Sequence, residues 1–160
     1  MSVQKFTNEK IDVESTKPTR PEFISHKSIE WTPWVIDGTH FKLFAVDTKT
    51  GGFTFMLRIA AGTVAPIHGH IGGVEGIITK GWFAYSDESR GDVGDYVCED
   101  GGIRHIPYTD DETEVFVVAH GPLAGYNPDG SIASIVSAKE MLQMATDAGQ
   151  ADHIDVSFPD

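Results

Sequence analysis

Gly62-Thr-Val-Ala-Pro-Ile-His68-Gly-His70 and, further on, Gly94-Asp-Tyr-Val-Cys-Glu-Asp-Gly101-Gly102-Ile-Arg-His105 are the stretches that decide how the chain folds. In an extended strand, residues two apart project from the same face, so His68 and His70 can reach one ion together. The second stretch sets a strand, a glycine turn and then His105 in series, so a third imidazole arrives from a different strand. Neutral imidazole is a good ligand for Fe(II), Zn(II), Mn(II) and Ni(II). Either half alone is weak: a His-x-His pair arises by chance, and a histidine beside a turn is usually satisfied there. Together they predict a facial set of three nitrogens.

Outward from these stretches the pattern is β. Phe41–Val46 and Phe53–Ile59 are strand candidates joined by turn residues at Thr48–Gly52, which makes a hairpin. Short runs continue at Val74–Lys80, Trp82–Ser86, Asp95–Glu99, Glu114–Ala119 and Ile132–Val136, with glycines and Asp-Gly turns between them. Many short strands with regular turn signals read as an all-β sandwich or barrel. Residues 1–30 carry few periodic apolar positions, and Pro18 and Pro21 oppose a helix, so they read as an N-terminal arm. The barrel is expected over 31–136, with Trp31 and Trp34 as packing residues. In 137–160, Ser137 followed by Glu140 is a capping-box signature. Met141, Met144 and Ala145 then form an apolar face, and Gly149 ends a short helix before the tail.

Composition narrows the partners. The 160 residues suit one domain and carry a formal net charge of −12, which argues against nucleic acid and anionic membrane surfaces. Cys98 is the single cysteine, so no intrachain disulfide forms, in keeping with a reducing compartment. It sits in a strand candidate and reads as a small buried hydrophobe. No apolar leader or ~20-residue membrane span is visible, so the expected location is cytoplasmic.

The series Gly-x5-His-x-His, a strand ending at Gly81, then Gly-x7-Gly-x-x-His resembles the two motifs of the cupin superfamily, over roughly Phe53 to Val118. The resemblance implies a double-stranded β-helix, or jelly-roll barrel, with a metal inside near its mouth. Asp100 stands where the second motif usually has proline, and Thr109 where it often has asparagine; aspartate is acceptable in a turn. Many metal cupins add a glutamate, usually seven residues before the turn glycine. That position is Val74, while Glu75 lies one further on. A one-residue shift sends a strand side chain to the opposite face. Either a bulge brings Glu75 to the ion as a fourth donor, or the site has three histidines, with Glu75 behind them or on the outer face. The register favours three histidines.

More narrowly, the sequence is similar to the three-histidine cupin dioxygenases, the group of 2,4'-dihydroxyacetophenone dioxygenase and the acetylacetone-cleaving enzyme. The similarity is carried by His68-Gly-His70 with Val74 in the glutamate position, Gly81-Trp82 with Tyr85, Gly94 through His105, Glu114-Val-Phe-Val-Val, Gly121-Pro122-Leu123 and Asp129-Gly130. It implies Fe(II) on His68, His70 and His105, with Zn, Mn or Ni as other occupants. It also implies O2-dependent cleavage of a carbon–carbon bond beside a carbonyl in a β-diketone or hydroxyketone, and a homodimer or homotetramer. Phe55, Phe116 and Val118 are candidate apolar wall residues, Arg58 and Tyr85 candidates to orient a polar substrate group, and His120 a candidate at the barrel mouth. Two other readings share these motifs: a Zn or Mn isomerase or hydrolase, and a non-catalytic cupin that senses a metal or small ligand. One scaffold hosts many functions.

Overall fold

A computed structural model of the chain describes residues 21–156 and Phe158. Residues 1–20 of the expected arm lie outside them. The strands are β1 (Thr32–Pro33), β2 (Thr39–Val46), β3 (Phe53–Ile59), β4 (His68–His70), β5 (Val74–Lys80), β6 (Trp82–Ser86), β7 (Ser89–Asp92), β8 (Tyr96–Glu99), β9 (Arg104–His105), β10 (Thr113–Ala119), β11 (Leu123–Tyr126) and β12 (Ile132–Val136), followed by helix α1 (Ala138–Asp147). They form a six-stranded sheet β1-β2-β3-β10-β5-β8, a four-stranded sheet β12-β11-β4-β9 and the hairpin β6-β7. All the pairings are antiparallel.

The inner and outer faces follow from the two-residue period of a strand. On β10, Val115, Val117 and Ala119 are buried, while Phe116 is exposed. On β5, Val74, Gly76 and Ile78 point inward in the same way. With Phe41, Leu43, Phe53, Phe55 and Phe83 they build the core that closes the barrel. The step from β5 to β6 runs through Gly81, whose φ of +68° and close approach to the Glu112 carbonyl, 2.5 Å from where a Cβ would stand, both require glycine.

Helix α1 packs against β2 and β12. The Ser137 side chain accepts from the Lys139 N–H at 3.2 Å, and Glu140 accepts from the Ser137 N–H at 2.9 Å, completing the capping box. The helix buries Ala138, Met141 and Ala145, and the Trp34 indole N–H lies 3.0 Å from the Met141 sulfur. Gly149, at φ +68°, ends it.

One expectation is corrected here. Cys98 is exposed, because β8 turns Tyr96 and Cys98 outward and Val97 and Glu99 inward. In the tail, His153 Nε2 donates to the Leu43 carbonyl at 2.8 Å, and Ala151 and Ile154 pack on the core. Among the described residues, no helix is long and apolar enough to cross a membrane.

Candidate metal centre

β4 carries His68 and His70 on one face, and β9, its antiparallel partner, places His105 opposite His68 in register. The three imidazoles converge. His105 Nε2 lies 3.1 Å from His70 Nε2 and 3.1 Å from His68 Nε2. Hydrogen bonding alone gives a poor account of this, since one imidazole nitrogen is either a single donor or a single acceptor. A shared cation accounts for it well. Nitrogens at right angles around an ion at ~2.2 Å stand about 3.1 Å apart, within the usual tolerance of the ~2.0–2.1 Å metal–imidazole distance.

The local packing prepares the rings as ligands. His68 Nδ1 donates to the Pro66 carbonyl at 3.0 Å, which leaves its Nε2 lone pair facing the other two rings. Burial pushes the His68 imidazole below its ordinary range, against the pull of the Pro66 carbonyl. Burial pushes His105 down to about 4, against the attraction of the Glu99 carboxylate. Both rings are therefore neutral at pH 7, the form that binds a metal. His70 Nδ1 is buried without a partner, so the Nε2 side of that ring carries its polar contacts. The donor set fits a divalent transition metal.

A carboxylate stands beside the triad, and it is Glu99. Its Oε2 lies 2.8 Å from His70 Nε2 and its Oε1 3.8 Å from His105 Nε2. The Tyr85 hydroxyl donates to Glu99 Oε1. The Tyr85 ring stacks on His105, with centroids 4.8 Å apart and an interplanar angle of 17°. The sequence reading missed Glu99. Its signal was available in the pairing of β5 with β8, which sets Glu99 opposite Val74, the inward position where the glutamate was sought.

Glu75 is on the outer face, half-exposed, where it bonds the Tyr96 hydroxyl and lies 2.6 Å from His120 Nε2. No bulge intervenes between Val74 and Gly76, so Val74 keeps the inward position. His120, placed at the barrel mouth by the sequence reading, is instead this outer partner of Glu75. Arg58 is on the outer face as well, 2.9 Å from Glu114 Oε1, rather than aimed at a substrate. Phe116 and Val118 share that face because they alternate with the inward Val115, Val117 and Ala119. Phe55 does line the cavity.

The triad forms one part of the wall of a cavity of about 90 Å³. The rest is mainly apolar, with Phe55, Leu57, Val74, Phe83, Val115 and Val117 among its lining residues and Glu99 as the carboxylate. A space of that size suits a compact ligand rather than one needing the ~300–1,000 Å³ of drug-sized sites.

A family model described as ChrR Cupin-like domain matches residues 19–124. Solved structures of similar shape include an acetylacetone dioxygenase from Acinetobacter johnsonii, at 20% identity over 86% of this chain and 99% of that one, with a TM-score of 0.75. An RmlC-like cupin protein from Ralstonia eutropha matches at 21% identity over 83% of this chain and 89% of that one, with a TM-score of 0.73. The polyketide cyclase RemF from Streptomyces resistomycificus matches at 12% identity over 84% and 99%, with a TM-score of 0.51. At these identities the likeness is one of fold. Comparison with curated proteins finds no match.

Proposed function

The chain belongs to the ChrR cupin-like domain family, and from that premise we propose that it is an Fe(II)-dependent dioxygenase that cleaves a carbon–carbon bond beside a carbonyl in a small β-diketone or hydroxyketone. The observation that carries the reading is the convergence of His68, His70 and His105 on one wall of a small, mostly apolar cavity. When bound there, iron supplies Lewis-acid polarisation of a substrate oxygen and a redox partner for dioxygen.

The chain's own residues do the rest. His68, His70 and His105 would hold the ion where they line the cavity. His68 and His105 are neutral, so they would leave an ion's charge uncompensated. Glu99 offsets part of it from the His70 side. Such a site favours a substrate that binds as an anion through two oxygens, as an enolised diketone does. Phe55, Leu57, Val115 and Val117 exclude water and pack against an apolar body. Tyr85 holds Glu99 by its hydroxyl and His105 by its ring, so the carboxylate and the third ligand are fixed together.

The test is oxygen uptake by the Fe(II)-reconstituted protein across a panel containing acetylacetone and hydroxyacetophenones, with the cleavage products identified. The expected result is stoichiometric uptake with at least one compound, lost in His105→Ala together with most of the bound metal while the β circular dichroism is kept. Full metal occupancy in His105→Ala, or no uptake and no spectral change with any compound, would overturn the reading. A second reading, a cupin module that senses a metal or small ligand without turnover, uses the same three histidines. Tight metal binding with a ligand-induced spectral change and no oxygen consumption distinguishes it.

A further inference from the structure

We infer that Trp34, held by the C-terminal helix, is the residue that limits the size of the apolar group a metal-bound ligand can carry. This rests on the proposed reading in one respect, that a ligand binds the ion from within the cavity. The same cavity is lined by the histidine triad and by Trp34. Its other apolar walls are firmly built: Phe55 and Leu57 lie on β3, and Val115 and Val117 on β10, strands paired on both sides. Trp34 reaches the space from the turn between β1 and β2. Its backbone N–H donates to the Thr39 carbonyl at 3.1 Å, and the Thr39 N–H to the Ile36 carbonyl at 3.0 Å. Its ring packs on Phe55, with centroids 5.4 Å apart and planes tilted by 49°. β1 spans only Thr32–Pro33 at the edge of the sheet, so strand pairing alone gives this corner little support.

The support comes from the C-terminal segment. The indole N–H lies 3.0 Å from the Met141 sulfur, and Met141 is fully buried on α1. Gln150 Oε1 accepts the N–H of Glu30, just before β1, at 2.7 Å. His153 Nε2 donates to the carbonyl of Leu43, the β2 partner of Phe55. All these ties come from beyond residue 124, where the family match ends. The first also orients the ring: its polar edge faces the helix, so carbon atoms of the indole border the cavity. A thioether is a weak acceptor, and sulfur–ring contacts are modest in strength. One contact that a conservative change can release therefore sets the position of this wall.

Volume decides what the indole excludes. The cavity holds about 90 Å³, against the ~150 Å³ of an apolar cavity that takes up benzene. With Trp34 in place, a ligand on the ion carries short alkyl groups, and a phenyl group does not fit. Replacing the indole by a smaller side chain opens the space toward the size that holds an aromatic ring. For the proposed dioxygenase this favours short-chain β-diketones over aryl hydroxyketones.

The Co(II)-loaded full chain tests the inference with two probes that bind an open metal position, imidazole and 4-phenylimidazole, each titrated by the visible Co(II) spectrum. The wild type is expected to bind imidazole at least ~10-fold more tightly than the phenyl probe, the scale of a misfit group in an apolar pocket. In Trp34→Leu that ratio should fall at least ~10-fold, through tighter binding of the phenyl probe with imidazole little changed. In Met141→Leu, a volume-conserving swap, it should fall about 2- to 10-fold, the worth of the lost sulfur–ring contact. Equal binding of the two probes by the wild type, an unchanged ratio in Trp34→Leu, or no binding of imidazole to the Co(II) protein overturns the inference. Weaker binding of both probes together in Trp34→Leu reads as lost packing and overturns it as well. Should Trp34→Leu fail to fold, Met141→Leu decides: a wild-type ratio there overturns the proposal. Oxygen uptake with acetylacetone tests the dioxygenase chemistry separately, because probe selectivity does not depend on turnover.

Discussion

Replacing Gly69 with alanine tests whether the packing behind the ligand strand sets the metal geometry. Gly69 lies between the two histidines of β4. A Cβ there would meet the Ile103 carbonyl oxygen at 2.9 Å, the Tyr126 hydroxyl at 3.0 Å and Tyr126 Cε2 at 3.1 Å. Neither neighbour yields easily. The Arg104 guanidinium sits 4.0 Å from the Tyr126 ring centroid. The Ile103 carbonyl accepts the His70 N–H at 3.3 Å, and the Gly102 N–H bonds back to the His70 carbonyl at 2.6 Å. Ordinary contact begins near 3.4 Å, so relief requires about 0.5 Å of movement between β4 and the loop leading to His105. Metal–ligand distances tolerate only ~0.2 Å. The expected result is a divalent-metal affinity about 10- to 100-fold weaker, the scale seen when support around a ligand is lost. Global stability should fall by only ~1–3 kcal/mol, as for other overpacking substitutions. Competition of Co(II) between the protein and a chromophoric chelator gives the first quantity, and urea unfolding of the metal-free chain gives the second. A folded Gly69→Ala protein with wild-type affinity would refute the argument that this packing spaces the histidines.

Three further outcomes follow from the same geometry. Glu75→Gln should leave metal content unchanged by elemental analysis, because Glu75 is 45% exposed on the far side of the sheet from the triad; loss of metal would mean that β5 slips register in solution. Glu99→Gln should weaken metal binding about 10- to 100-fold while preserving the fold, since it removes the carboxylate beside His70; unchanged affinity would show that the charge is not felt at the site. The metal-free protein should lose stability as the pH falls. His105 is lowered from 6.5 to about 4 in the folded chain, so the unfolded chain takes up the proton first. The contribution is complete above about 6.5, fades toward 4 and is at most about 3 kcal/mol in this window, with His68 acting in the same direction. A urea midpoint that stays flat between these values contradicts it.

What the sequence disclosed and what it concealed divide along the range of the interactions involved. Phe53–Ile59, Val74–Lys80, Trp82–Ser86 and Ile132–Val136 match their strands residue for residue, because β-rich runs bounded by turn residues are local signals. The Ser137 capping box is equally local. β4 and β11 escape such reading. His68-Gly-His70 is three residues centred on a glycine, and Leu123-Ala-Gly-Tyr126 lacks β-branched residues, so both are strands only because their neighbours pair with them. The wall residues failed for a related reason. Phe116 and Val118 are as apolar as Val115 and Val117, and composition cannot say which set faces inward; the closure of β10 between β3 and β5 decides it. Glu99 shows the same limit at the site itself. A search along the strand after His70 for a carboxylate stops at Val74. The barrel sets Glu99 of β8 directly opposite Val74, so a carboxylate approaches the same inner surface from the adjacent strand. A carboxylate at the triad is thus set by the pairing of the second motif's strand with β5 rather than by the glutamate position of the first motif, and a chain with valine at that position need not have a site of three histidines alone.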